Sequence, residues 1–183
     1  MKKKRIVISG GPGAGKTALV EGLKIKGYTT VAEYSRTLIE IAKKEGKSRY
    51  FLSDPIEFSE ALFLGRKKQF ELLNDKSSDL HSPYVFFDRG IHDIYAYLKA
   101  IGQESKSWYD RISEYQYDLV FLLTPWEAIY RQDEQRTETF EEASNYFSFI
   151  EATYRDAHKV ICIPQRSVAE RIAFVKDTLK QYE

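Results

Sequence analysis

Short, unbroken apolar runs alternate along this chain with longer stretches in which apolar residues recur at helical spacing. The runs predict strands near residues 4–9, 28–32, 84–88, 118–123 and 159–163. The periodic stretches predict helices over about 16–26, 34–45, 55–75, 90–101, 105–115, 126–134, 140–157 and 167–181. The runs at 84–87 and 118–123 show no polar alternation, as parallel strands do when helices cover both faces. Regular alternation of strand and helix is the pattern of an α/β sheet. Two helix starts are written locally: Asp54-Pro55 supplies a cap and a first-turn proline, and Ser167-Val168-Ala169-Glu170 reads as a capping box.

The first strand runs into Gly10-Gly11-Pro12-Gly13-Ala14-Gly15-Lys16-Thr17, which fits the phosphate-binding pattern G-x-x-x-x-G-K-[ST] at every required place. A polyphosphate must be met by backbone N–H groups that all point inward, and glycines let the chain bend that tightly. The strand-to-helix setting adds the unpaired N–H groups and dipole of a helix N-terminus. Gly11, Pro12, Gly13, Ala14, Gly15, Lys16 and Thr17 are therefore expected to hold ATP, with Lys16 on the β- and γ-phosphates and Thr17 as a ligand of Mg²⁺.

At 183 residues the chain is long enough for one well-buried core, so a single domain is expected. With 28 basic and 27 acidic residues it carries no general field for nucleic acid, and Lys2-Lys3-Lys4-Arg5 reads as a solvated chain end. No apolar stretch approaches membrane-spanning length and the N-terminus has no apolar signal core, so a soluble, cytoplasmic protein is expected. The single Cys162, inside an apolar run, reads as a buried core residue. His81, His92 and His158 lack metal-ligand spacing. Most of the 13 tyrosines and 11 phenylalanines, including Phe58, Phe63, Phe70 and Tyr146, fall in periodic segments and read as core.

Open parallel sheets bind ligands outside the carboxyl ends of their strands. Glu33 and Arg36 follow the second strand, and Asp88, Arg89 and Asp93 follow the third. Asp88 stands where a P-loop protein places the carboxylate that holds Mg²⁺, the alternative being a helix cap. Glu33 is a candidate to accept the proton of an attacking hydroxyl or to hydrogen-bond that substrate, with a surface cap as the alternative. Arg36 and Arg89 suit an anionic or hydroxyl-rich acceptor, or pair with acids. The segment Tyr130 to Glu138 carries Arg131 and Arg136 and reads as a lid whose arginines meet the charge that grows in phosphoryl transfer, or as a solvated helix face.

The phosphate loop, Glu33-Tyr34-Ser35-Arg36, Phe87-Asp88-Arg89-Gly90 with Asp93 and Tyr97, and Asp133-Glu134-Gln135-Arg136-Thr137-Glu138 together resemble the small "predicted ATPase" P-loop family of AAA-type NTP-binding proteins. That family is similar to the nicotinamide riboside kinase domain of NAD-metabolism regulators and, more distantly, to deoxynucleoside and nucleoside-monophosphate kinases. The resemblance implies a three-layer α/β/α sandwich, a five-stranded parallel sheet of order 2-3-1-4-5 and a helical lid. It also implies ATP and Mg²⁺ at the loop, an acceptor near Glu33 and Asp88, and lid arginines Arg131 and Arg136 at the nucleotide. Similar folds place adenine near Pro164. Deoxynucleoside kinases usually carry Asp/Glu-Arg-Ser where this chain has Asp88-Arg89-Gly90, which counts against a strictly deoxynucleoside acceptor. The expected activity is transfer of the γ-phosphoryl of ATP to a hydroxyl of a nucleoside-like or vitamin-like compound. Two alternatives are an ATPase or nucleotide switch acting with a protein partner and a nucleic-acid end kinase, the latter opposed by the near-neutral charge.

Overall fold

The computed structural model describes residues 3–46, 50–72, 82–130 and 139–182. Five strands, β1 (Lys4–Gly10), β2 (Thr29–Val31), β3 (Tyr84–Asp88), β4 (Leu119–Leu123) and β5 (Val160–Ile163), form one parallel sheet of order β2-β3-β1-β4-β5. The helices are α1 (Lys16–Ile25), α2 (Tyr34–Lys44), α3 (Tyr50–Ser53), α4 (Pro55–Glu71), α5 (His92–Ala100), α6 (Lys106–Ser113), α7 (Phe140–Ala157) and α8 (Val168–Lys180).

Side chains of a strand point alternately to its two faces, and this sheet buries both. Ile6, Ile8, Phe86, Leu119 and Phe121 pack under Leu19 and Leu23 of α1 and Val175 and Leu179 of α8. Val7, Val85, Phe87, Val120 and Leu122 face Ala96 of α5 and Phe147, Ile150 and Tyr154 of α7. Strands β3 and β4 are buried throughout, which is why their sequences show no alternation. A third apolar cluster joins α2, α4, α5 and α6 to one side, with Phe58, Phe63, Trp108 and Ile112 at its centre.

The local signals act as written. Asp54 accepts from the Glu57 N–H at 3.0 Å, and Ser167 and Glu170 cap each other reciprocally. Three expectations change. Of the helix expected over 126–134, residues 131–134 lie outside the described residues, and the described part is a single 3-10 turn, Glu127–Ile129, after which Tyr130 turns extended (φ −65°, ψ 129°) and its ring lies on Gly13. The four-residue α3 is too short to show a period. Cys162 is half-buried, because β5 is an edge strand and lacks a neighbour on one side. Among the described residues no helix is long and apolar enough to cross a membrane.

Candidate active site

Parallel pairing brings the ends of β1, β2, β3 and β4 to one edge of the sheet. There the chain leaves β1 through the glycine loop, with Gly13 and Gly15 at φ 70° and 83°, and enters α1 at Lys16. Left-handed φ values turn successive N–H groups inward, which is the geometry that receives an anion. The Lys16 ammonium donates to the carbonyls of Gly10 (2.9 Å) and Gly11 (2.7 Å). Burial, helped by the Arg89 charge, lowers its pKa to about 7. Thr17, in the first turn of α1, accepts a hydrogen bond from Arg36 Nη2 at 3.1 Å.

Glu33, between β2 and α2, and Asp88, the last residue of β3, stand beside this loop. Glu33 Oε1 accepts from Arg89 Nε at 2.8 Å and from the Ser35 hydroxyl at 2.7 Å, while Oε2 lies 3.6 Å from Arg36 Nε. Burial alone would raise the pKa of Glu33, but Arg89, the Ser35 hydrogen bond, Arg66 and Lys16 together outweigh it and hold the carboxyl at about 2. Asp88 is buried, and its Oδ1 has no hydrogen-bond partner among the described residues. Burial, and then the charge of Glu33, pushes its pKa up. An orphaned carboxylate oxygen this close to a phosphate loop suits a divalent cation, and the Thr17 hydroxyl supplies a second oxygen of the kind Mg²⁺ accepts.

Arg89 takes φ 69°, a region costly for any residue with a side chain. Two acids hold it there: Glu33, and Asp93 of α5, whose Oδ1 accepts from Arg89 Nη1 at 2.9 Å. Asp93 also accepts from the Ser9 hydroxyl, the Gly90 N–H (2.9 Å) and the Tyr154 hydroxyl (2.6 Å). Among the described residues the hydrogen bonds of Asp93 thus tie Arg89 and Gly90 to β1 and α7. Glu33, Arg36, Asp88 and Arg89 converge with the loop as the sequence suggests. Pro164 follows β5, and the next residue, Gln165, donates to the Pro125 carbonyl at 2.7 Å. Arg131 and Arg136 lie outside the described residues, but Tyr130 and Phe140, which bracket them, meet beside Gly13 with ring centroids 5.6 Å apart.

The sequence profile of the AAA domain matches residues 5–171, nearly the whole of the described sheet and its loop. The chain belongs to the AAA-domain family. No curated protein sequence matches it. Among solved structures it is similar to deoxyadenosine kinase from M. mycoides with products dCMP and a flexible dCDP bound (TM-score 0.66, 16% identity, 97% of this chain and 99% of that one). The same enzyme with bound dATP gives 0.65 at 15% identity, covering 96% and 99%. The NadR protein in complex with NR gives 0.65 at 18% identity, where 99% of this chain covers 51% of that one. These likenesses show a shared P-loop fold of nucleoside-kinase type.

Within this AAA-domain chain the Asp88-Arg89-Gly90 turn has a packing cause. A Cβ on Gly90 would come within 2.5 Å of the Tyr154 hydroxyl and 3.0 Å of both Tyr117 and Val7. The space a serine side chain would need is filled by the hydroxyl that binds Asp93. Four further residues at the site escaped the sequence reading. Arg66 of α4 donates to the Gly90 carbonyl at 2.8 Å, and Arg171 of α8 donates to the Ala14 carbonyl at 3.0 Å with its guanidinium over the Trp126 ring. Each falls on the buried stripe of its helix, Arg66 below Leu62 and Arg171 above Val175, and an arginine on an apolar stripe is the signal that would have found them. Tyr146, read as core, and Tyr154 carry hydroxyls close to charge; Tyr154 donates to Asp93, and burial pushes Tyr146 up to about 12, among Arg89, Asp93, Arg66 and Glu33.

Proposed function

We propose that the chain is an ATP-dependent phosphotransferase that moves the γ-phosphoryl group to a hydroxyl of a nucleoside-like or vitamin-like small molecule. The observation that carries this reading is the carboxylate of Glu33, locked by Arg89 and Ser35 beside the phosphate loop and next to the unpartnered Asp88. The loop amides and Lys16 bind the phosphates of ATP. Thr17 and Asp88 hold Mg²⁺, which when bound offsets charge on the β- and γ-phosphates. Glu33 accepts a hydrogen bond from the acceptor hydroxyl and fixes its oxygen in line with the γ-phosphorus. The acceptor O–P bond forms, the bond to the β-phosphate oxygen breaks, ADP leaves, and the hydroxyl proton passes to Glu33 and on to solvent. A loose transition state asks for little basicity, so a carboxylate held near 2 is adequate for orientation. Arg89 stays charged and guards the acceptor side.

The test is a coupled ADP-release assay across nucleosides and hydroxyl-bearing vitamins, with the acceptor-free rate subtracted. Lys16→Ala is expected to abolish ATP binding by calorimetry. Glu33→Gln is expected to spare ATP affinity and cut kcat by about 10²-fold or more, the scale of a positioned acid–base group. Full turnover in Glu33→Gln with an accepted substrate removes Glu33 from the chemistry. Hydrolysis that ignores every acceptor and rises with a protein partner would replace the kinase reading with an ATPase.

A further inference from the structure

Among the described residues the charges on the acceptor side of the cleft pair off with one left over; Arg171, also buried without an ion-pair partner, stands at the phosphate loop, where it donates to the Ala14 carbonyl. Glu33 and Asp93 answer Arg36 and Arg89, and Lys16 and Asp88 belong to the phosphates and their cation. Arg66 remains. It is only 4% exposed, no carboxylate lies within ion-pair distance of it among the described residues, and one of its five N–H donors is matched, by the Gly90 carbonyl. Its Nε has no hydrogen-bond partner among the described residues. A guanidinium this deeply buried is ordinarily paired, because desolvation of an unpaired charge is costly. Arg66 acts at longer range on Glu33, Asp93 and Tyr146, which puts it on the acceptor side of the cleft. On α7, Tyr146 is half-buried as a residue, and its hydroxyl has no hydrogen-bond partner among the described residues. Two unmatched donors, one of them cationic, face one region next to the carboxylate that would orient the attacking hydroxyl.

We infer that the acceptor carries an anionic group, a carboxylate or its equivalent, remote from the hydroxyl that is phosphorylated, and that Arg66 and Tyr146 bind it. This rests on the phosphotransferase reading above. A positive charge in place of that anionic group would instead meet Arg66 and be rejected.

Near-isosteric acceptor pairs that differ by a carboxylate test it: nicotinate riboside against nicotinamide riboside, and pantothenate against pantothenyl alcohol. The wild-type protein is expected to favour the carboxylate member by about tenfold or more in kcat/KM, the scale of one hydrogen bond to a charged group. Arg66→Gln keeps a donor for Gly90 and removes the charge; it is expected to bring the ratio down to about twofold or less, through KM of the carboxylate acceptor. Tyr146→Phe, which removes one hydroxyl, is expected to lower the ratio part of the way. Calorimetry with an unreactive ATP analogue present measures acceptor binding independently of transfer. Carboxylate-selective binding lost in Arg66→Gln supports the inference even if no pair is phosphorylated, which would overturn the kinase reading alone. Turnover that needs Glu33 but shows no charge preference, or equal binding of both members, or binding of neither, overturns the inference.

Discussion

Lys16 illustrates how a single residue can be prepared for its ligand. Its ammonium is buried against two carbonyls, and burial has lowered its pKa to about 7, so a fraction of the empty protein holds a neutral lysine at mildly basic pH. Phosphates beside it favour the charged form and raise the pKa again. ATP binding at pH 8 is therefore expected to take up close to one proton (about 0.9), a quantity read from calorimetry in buffers of different ionisation enthalpy. Gly10 sets a second residue-scale limit. At φ 149°, a Cβ there would sit 2.3 Å from the Leu123 carbonyl oxygen of the paired strand. Gly10→Ala is expected to destabilise the protein by about 2 kcal/mol or more, measured by denaturant unfolding, because β1 and β4 must separate to admit it. Arg89 makes the opposite choice, keeping a large side chain in a left-handed conformation where its two acid partners compensate.

Elements were legible in the sequence to the degree that their signal is local. β3 and β4 announce themselves as unbroken apolar runs because both faces are covered, and α4 and α8 begin where Asp54-Pro55 and Ser167-Glu170 satisfy their first N–H groups. Ser167→Ala is expected to cost about 1 kcal/mol in thermal or denaturant melts by opening the capping box of α8. What was not legible depends on contacts between distant segments. Glu33, Arg36, Asp88 and Arg89 were found from their place after strands, but nothing near Asp93 in sequence shows that its carboxylate would be used up by Ser9, Gly90, Arg89 and Tyr154. Tyr146 and Phe147 look alike as neighbours on α7, yet one faces charge and the other the sheet. The extended Tyr130 was missed because a ring resting on Gly13 overrode the helical spacing of 126–134.

Over the whole molecule, acid stability is written into a second buried group. His92 and His158 stack edge to face, 4.4 Å between centroids, behind the Asp93 and Tyr154 pair. Burial, then the neighbouring His158, lowers the pKa of His92 to about 3. Unfolding restores it to the ordinary 6.5, so the unfolded chain binds the extra proton. Its contribution is whole above pH 6.5 and is lost as pH falls toward 3, on the order of 5 kcal/mol in all. Glu33, held at about 2, adds a similar loss that begins only below 4.5. His92→Phe is expected to flatten the slope of stability against pH between 6.5 and 4.5 and to make the fall from 4.5 to 3 shallower, leaving there the part that Glu33 supplies.

The wedge of Tyr154 against Gly90 has a historical meaning as well. Sixty-four positions separate the two in sequence, yet they occupy one volume, with 2.5 Å between the tyrosine oxygen and any methyl placed on the glycine. Serine cannot enter the turn while the tyrosine stands, and phenylalanine at 154 leaves Asp93 short of a donor. Each replacement is harmful alone and tolerable only with the other, so Gly90→Ser and Tyr154→Phe should show strong positive epistasis in a double-mutant cycle. This sequence therefore reaches a serine at position 90 through paired change or not at all.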